Sequence, residues 1–572
     1  PDHRTAMATR ATDMVTATNM GKNMKLERLF PAARLAAILT ASFCAQQIQA
    51  QQMSGSVLTD SSSTTGSQPA FLGGGNLGSG EARAFSIKPR ITLSETWSDN
   101  VSLNGGSTGT KESGFITELA PGVRIDATTA RLKAYFDYSL RGQFYSTPSG
   151  YSRTQNQLNT FGTLEALSNW LYVDFSGIIA QQAISAFGTQ SPGSANINSN
   201  TTETSTYRLS PYIRGQLAGA AEYLLRYNYS TTHANASIAS DVDLTEWVGQ
   251  LRGSTPFQSL RWALDASQQT AEYSYGRKTD SDRLTASATY TVVPQFRVTF
   301  SGGQEANNYA SADKESHTTH GYGFDWNPTE RTQISAFRDK RFFGNGHRYT
   351  FSHRFPLSSV SYSDTKDVSI LPNQFTSVGM GTVFDLFKQI CRQQLNSQFS
   401  DPIQLDIAAN NCASGLSTAT GISASTPVTS SFLSSRATIQ RRQQLALAIQ
   451  GVRNTLTIMF NRSESDSILA SDSIRDDFYQ NSVNSIKQRG ITISLAHQLS
   501  GQTTANLTAS RQESTGTGTT ALKATTMLYQ GGISTKLGPK TTGSLNVRHS
   551  KFDSSTNPYT ENAVIGMLSV LF

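Results

Sequence analysis

The sequence predicts an all-β protein: a single transmembrane antiparallel β-barrel of about 22 strands with a short flexible N-terminal leader. Three observations carry that expectation. Apolar and polar residues alternate with period two along most of the chain beyond Ser86, tight turns interleave with longer polar loops, and the chain ends in an apolar strand closed by an aromatic residue.

Residues 1–50 read as an over-extended start followed by an export signal. Met24, Lys25, Arg28 and Arg34 form a basic region, residues 35–44 (LAAILTASFC) an apolar one, and Ile48, Gln49 and Ala50 a small-residue cleavage site before Gln51. Cys44 does not read as a lipidated cysteine, because Phe43 is too large for the position before one. Residues 51–85 form a Ser/Gly-rich periplasmic leader that cannot bury enough apolar area to fold alone. Within it Gly73, Gly75 and Gly78 match the dinucleotide-binding spacing, but neither a strand before nor an amphipathic helix after supports that reading.

The barrel is expected over residues 86–572. Leu132, Ala134, Phe136, Tyr138 and Leu140 alternate with Lys133, Tyr135, Asp137, Ser139 and Arg141, so one strand face is apolar and the other wet. The pattern recurs at Leu171, Val173, Phe175 and Ile179, at Leu284, Ala286, Ala288, Tyr290 and Val292, and at Leu456, Ile458 and Phe460. About 22 such runs reach the roughly nine residues that a tilted strand needs to cross a bilayer. Tight connections fall at 127–130, 168–169, 217–219, 255–259, 293–294, 327–330, 356–357, 450–451, 500–501 and 538–540, most of them marked by Pro, Gly or Asn. Longer polar loops alternate with them at 98–113, 181–203, 232–243, 307–317, 462–485 and 512–524. Short periplasmic turns and long extracellular loops are the connectivity of a transmembrane barrel, and a soluble sandwich has no reason to segregate its loops in this way.

One insertion, residues 367–433, exceeds every other loop and shifts towards helical spacing. Val383, Phe384, Phe387, Ile390 and Cys391 fall on one face at intervals of three and four, as in an amphipathic helix packed on the barrel wall or in its mouth. Cys391 and Cys412 are the two cysteines left after signal cleavage, and export to an oxidising compartment favours a disulfide between them over two free thiols. At the C-terminus Val564, Gly566, Leu568, Val570 and Phe572 share a face. An apolar terminal strand is costly in water, whereas closing a barrel in lipid pairs its backbone, and Phe572 is the C-terminal barrel signal read by the barrel assembly machinery.

Composition excludes other classes. Of 572 residues only 16% are charged, well below the roughly 25% of soluble domains. The 28 Phe, 20 Tyr and 5 Trp argue against disorder. No apolar run beyond the signal reaches the ~18 residues of a spanning helix. The whole chain carries a net charge of +7, and removing residues 1–50 takes away six cations and three carboxylates to leave +4, so nothing indicates a nucleic-acid partner.

Several segments, taken in order, resemble a known family: IKPRITLSETWSDNVSL from Ile87, FITELAPGVRI from Phe115, LKAYFDYSLRGQFY from Leu132, ISAFG from Ile184, SPYIR from Ser210 and HRYTFSHR from His347. They are similar to the outer-membrane β-barrels found with the PEP-CTERM/exosortase system, within a wider β-barrel porin group encoded beside exopolysaccharide loci. The resemblance covers nearly all of the mature chain. It implies the outer membrane of a Gram-negative bacterium, with polysaccharide and periplasmic export components as partners besides the surrounding lipid. It implies no catalytic residues.

Carrying the alternation inward puts Arg131, Lys133, Arg141, Arg208, Arg214, Arg226, Arg261, Arg283, Arg297, Arg348, Arg354, Arg453 and Arg548 in the lumen, with fewer acidic residues such as Asp137, Asp174, Asp265 and Asp325. These arginines either hydrogen-bond across strands or attract anions on a passing glycan. Tyr135, Tyr172 and Tyr212 either stack on sugar faces or pack on one another. His317 and His320 have HxxH spacing but no third ligand, Ser352 and His353 lack a triad partner, and the chain is expected to be no enzyme and to hold no metal or cofactor. The functional expectation is a conduit or accessory in exopolysaccharide export. The alternatives are a closed-lumen scaffold or adhesin working through its loops, and a general porin. A TonB-dependent transporter also has about 22 strands, but only the 35 residues from Gln51 to Phe85 stand where its plug would be.

Overall fold

The computed structural model describes residues 84–105, 109–217, 219–236, 240–274, 276–370, 409, 432–433, 437–468, 483–518, 521–555 and 557–572. The signal, most of the leader, residues 381–395 with their expected helical spacing, and both Cys391 and Cys412 lie outside these residues.

Among the described residues twenty-two strands follow one another. They are β1 (Phe85–Ser98), β2 (Gly114–Thr128), β3 (Leu132–Tyr145), β4 (Ser152–Leu167), β5 (Leu171–Ala183), β6 (Thr201–Leu217) and β7 (Ala221–Ala234). Next come β8 (Val242–Ser254), β9 (Leu260–Tyr273), β10 (Thr279–Val293), β11 (Phe296–Asn307), β12 (Glu315–Thr329), β13 (Thr332–Arg341), β14 (Gly344–Arg354) and β15 (Ser358–Ser369). The last are β16 (Thr438–Gln450), β17 (Asn454–Ser467), β18 (Val483–Gln498), β19 (Thr503–Gly518), β20 (Leu522–Lys536), β21 (Thr541–Ser554) and β22 (Tyr559–Leu571). Each pairs antiparallel with its neighbour, and β22 pairs with β1 in the register Leu93 opposite Leu568 and Trp97 opposite Val564, which closes the ring. Closure leaves no unpaired edge, the condition for a sheet to sit in lipid.

The two faces are chemically opposite. Ile91, Leu93, Leu140, Phe300, Phe460, Leu507 and Leu545 point outward and are exposed, whereas Gln143, Ser139, Thr206, Ser550 and Glu561 point inward and are buried. This inverts the distribution of a water-soluble domain and fits a lipid-facing apolar band around a polar interior.

All ten tight connections lie at one end of the barrel, which also holds the start of β1 and the end of β22. The other end departs from the sequence expectation in two ways. The polar stretches expected as loops are in part strand, most of all 512–524: β7 runs to Ala234, β17 to Ser467, β19 to Gly518, and β20 resumes at Leu522. Strands there outrun the apolar band, so both faces are polar and the period-two signal fades although the hydrogen-bonded ladder continues. The alternation of short and long connections also breaks between β13 and β14, which only Phe342 and Phe343 join.

Candidate functional site: the luminal wall and its roof

The luminal wall is ion-paired. Arg90 holds Asp137 through two bonds of 2.9 and 2.6 Å. Arg226 meets Asp174 at 2.9 Å, Arg283 meets Asp339 at 3.4 Å, and Arg141 donates to Gln157 at 2.6 Å with Glu118 at 3.8 Å. Arg297 lies opposite Asp325 in the β11–β12 register without an ion pair between them. The period of two also turns Lys133, Arg208, Arg214, Arg261, Arg348 and Arg354 inward, the last three exposed. Two expectations need correction. Arg131 and Arg453 occupy the β2–β3 and β16–β17 turns and are exposed, because the alternation ends one or two residues short of them. Sequence reasoning passed over Arg90, Arg124, Arg153, Arg252, Arg341 and Arg442, although the same parity turns each inward.

The inward aromatics pack on one another. Tyr172 and Tyr212 stack with centroids 5.2 Å apart, while Arg214 lies 4.2 Å over Tyr172 and Arg226 4.2 Å over Tyr212. Tyr135 stacks on Phe161 at 5.3 Å and receives Arg124 at 5.0 Å. Of the two roles open to these rings, mutual packing with guanidinium cover is the one their geometry serves.

The roof is the feature that the sequence concealed. The β5–β6 connection, residues 184–200, folds into the barrel and is gripped by inward side chains of several strands. Gln143 and Gln155 donate to the Ser194 carbonyl at 3.3 and 3.2 Å, Arg153 to that of Asn196 at 2.9 Å, and Tyr145 to that of Ala195 at 2.6 Å. On the β21–β22 wall the Asn196 amide donates to Glu561 at 2.8 Å and accepts from Arg548 at 3.2 Å, while Arg548 and Glu561 pair at 2.7 Å. Tyr559 donates to the Gln190 carbonyl. Around this latch Leu103, Ile184, Phe187, Ala234, Phe432, Leu433, Ile486 and Phe552 form one apolar cluster. Ala234 is on β7 and Ile486 on β18, eleven strands apart in a ring of twenty-two, so the cluster ties opposite walls across the loop end. A second cluster joins Val242, Leu244, Ala271 and Tyr273 to Tyr309, Ile370 and Ala437. Burial pushes the Tyr309 phenol up to about 12, so it stays a neutral donor at physiological pH. Towards the turns, by contrast, inward side chains such as Lys133, Arg214 and Asp265 are only half-buried.

The candidate enzymatic pairs come apart. His317 points inward opposite Glu305 and His320 outward opposite Lys340, on the two faces of β12. Adjacent Ser352 and His353 likewise take opposite faces of β14. No group of three potential metal ligands converges among the described residues.

No family model and no curated protein matches the chain. Solved structures similar to it include the FrpB iron transporter from Neisseria meningitidis, with TM-score 0.45 and 8% identity over 85% of this chain and 81% of that one. The siderophore receptor PirA from Acinetobacter baumannii has TM-score 0.43 and 7% identity over 85% and 80%. The ferric preacinetobactin receptor BauA from the same organism has TM-score 0.41 and 10% identity over 85% and 80%. The closed ring, the lipid-facing apolar band and the polar interior make the chain an outer-membrane β-barrel of a Gram-negative bacterium.

Proposed function

We propose that this barrel is a gated conduit of the outer membrane, an accessory in exopolysaccharide export or production whose lumen favours anionic glycan or solutes. The observation that carries the reading is the β5–β6 connection latched inside the loop end, above a lumen whose wall stays half-buried towards the turns. A segment held by side-chain bonds and one backbone bond, from Ile197 N–H to the Val101 carbonyl at 3.0 Å, and not by strand pairing, can leave while the ring stays closed. The exopolysaccharide link is supported by the resemblance of the segments from Ile87 to Arg354, and the turn end is the surface that periplasmic export components would meet.

Anion preference falls to inward arginines that have no carboxylate within 4 Å among the described residues, and Arg208, Arg214 and Arg348 are three of them. Replacing all three by Gln is expected to lower the anion-over-cation preference of single channels in a planar bilayer by at least about twofold. Addition of a uronate oligosaccharide should block the wild-type channel more than the variant. Unchanged selectivity would return these arginines to a structural role. The closed-lumen scaffold is the second reading, favoured by the apolar clusters that tie opposite walls, and a barrel without conductance in wild-type and unlatched forms would establish it over both the conduit and the general porin.

The barrel assembly machinery is the partner proposed for the C-terminus. Phe572 is exposed, and its backbone amide donates to the Pro89 carbonyl at 2.9 Å. Deleting Phe572 removes about 1 kcal/mol of native hydrogen bonding, so the refolded barrel should keep its heat-modifiable gel mobility. Assembly in cells should nevertheless fall sharply, as read by surface labelling. Normal assembly of the truncated chain would show that the residue is not the signal.

A further inference from the structure

The outer wall of β15 to β20 changes character abruptly along its height. Near the turn end its register rows are apolar: Ile449, Leu456, Leu495 and Leu507, then Leu447, Ile458 and Ile493, then Tyr362, Leu445, Phe460 and Ile491, which Arg511 continues on β19. The next row towards the loops reads Asp364, Gln443, Arg462, Arg489 and Glu513. The row after that reads Lys366, Arg441, Glu464, Lys487, Thr515 and Lys523. All of these side chains share the outward parity of Phe460 and Leu507. With Arg511 and Asp466 beside them, seven cations face four carboxylates.

The arrangement leaves cations presented and carboxylates sunk. Glu513 is 8% exposed beneath Arg489, Arg511 and Lys523, which are 70, 58 and 64% exposed. Asp364, 4% exposed, lies beneath Arg441, to which it is bonded at 2.7 Å. Arg462 and Arg489 are direct cross-strand partners, each held by one carboxylate, Arg462 by Glu464 at 2.6 Å and Arg489 by Glu513 at 2.9 Å, so the seven cations outnumber the anions that meet them. Like charges directly opposite destabilise a sheet, and cations on a lipid-facing wall cost more still unless an anion meets them. The far wall is of opposite sign: outward Asp243, Glu272, Asp280 and Asp282 dominate there over Lys278 and Lys314. The basic patch is therefore one-sided and not a general girdle.

We propose that this wall is a docking site for a phosphorylated lipid of the outer leaflet. Its phosphates sit between Arg462 and Arg489 and the flanking cations, and its acyl chains lie along the Tyr362, Leu445, Phe460 and Ile491 row. A phosphate there converts the repulsion of the two arginines into charge-assisted hydrogen bonds. Apolar rows directly beneath the cations favour a lipid over a free anion.

The test uses the full-length barrel in neutral detergent, with lipid A and its dephosphorylated form as probes and native mass spectrometry as the readout. Wild type is expected to retain lipid A at least about tenfold more strongly than the dephosphorylated lipid. The triple variant R462Q/K487Q/R489Q should lose most of that margin, while K278Q on the far wall should keep it. Equal retention of the two lipids by wild type overturns the proposal without recourse to any variant. Displacement of lipid A by millimolar inorganic phosphate also overturns it, since the patch would then be a plain anion site. Undiminished preference in a triple variant with normal heat-modifiable mobility overturns it as well.

Discussion

Replacing Glu561 by Gln is expected to release the roof and raise single-channel conductance several-fold. Glu561 is fully buried and accepts four bonds: from Arg548 at 2.7 and 3.2 Å, from Ser98 at 2.9 Å and from Asn196 at 2.8 Å. Removing its charge leaves Arg548, itself 6% exposed, without a counter-ion. Breaking such a pair costs about 3–5 kcal/mol, and burial leaves little solvent screening to reduce it. The β21–β22 ladder does not depend on that bond. The cheapest relief is for Arg548 to reach water by letting residues 184–200 swing out of the mouth. Protease cleavage within 184–200 on intact cells should rise in parallel. Asn196→Ala should act in the same direction with a smaller effect, because it leaves the ion pair intact. The double variant R548M/E561M removes both charges and should restore closure, since an apolar pair of similar volume is often neutral or stabilising. If E561Q melts lower but conducts like wild type, the latch is a stability element and not a gate.

Glu305→Ala should be the most destabilising single change on the opposite side of the mouth. Glu305 is 1% exposed and accepts from Arg341 Nε at 2.5 Å and from the backbone amide of Phe342 at 2.6 Å. Arg341 also reaches Asp367 at 3.1 Å and Asp339 at 4.0 Å, and Asp339 holds Arg283. One carboxylate thus anchors both the two-residue β13–β14 connection and a luminal charge network, while Phe342 packs on Tyr309 of the second apolar cluster. Loss of the buried partner is expected to cost about 3–5 kcal/mol, seen as a lower heat-modifiable transition. Arg341→Lys should fall between variant and wild type, because lysine keeps the charge but loses the guanidinium fork. Wild-type melting of the Glu305→Ala barrel would show that the network is not what holds that connection.

The number of strands, the face of each side chain and the ten turns were legible in the chain, because alternation and turn chemistry are local properties of a backbone with a two-residue period. Leu132, Ala134, Phe136, Tyr138 and Leu140 face lipid, and Arg141, Arg226 and Arg548 face inward, for that reason alone. Where the local signal stops, so does its reach. Parity extended past the strand ends misplaced Arg131 and Arg453, and strands that outrun the apolar band read as loops. The partners were not legible at all. Arg90 and Asp137 are 47 residues apart and Asn196 and Glu561 365 apart, so they meet only because strand register and ring closure bring β1, β3, β22 and an inward connection to one wall. The sequence by itself determined a barrel with a polar lumen and an apolar skin. Only the tertiary structure decided that the lumen is ion-paired and roofed, because those contacts depend on which strands stand side by side around a closed ring, a long-range fact that no two-residue period encodes.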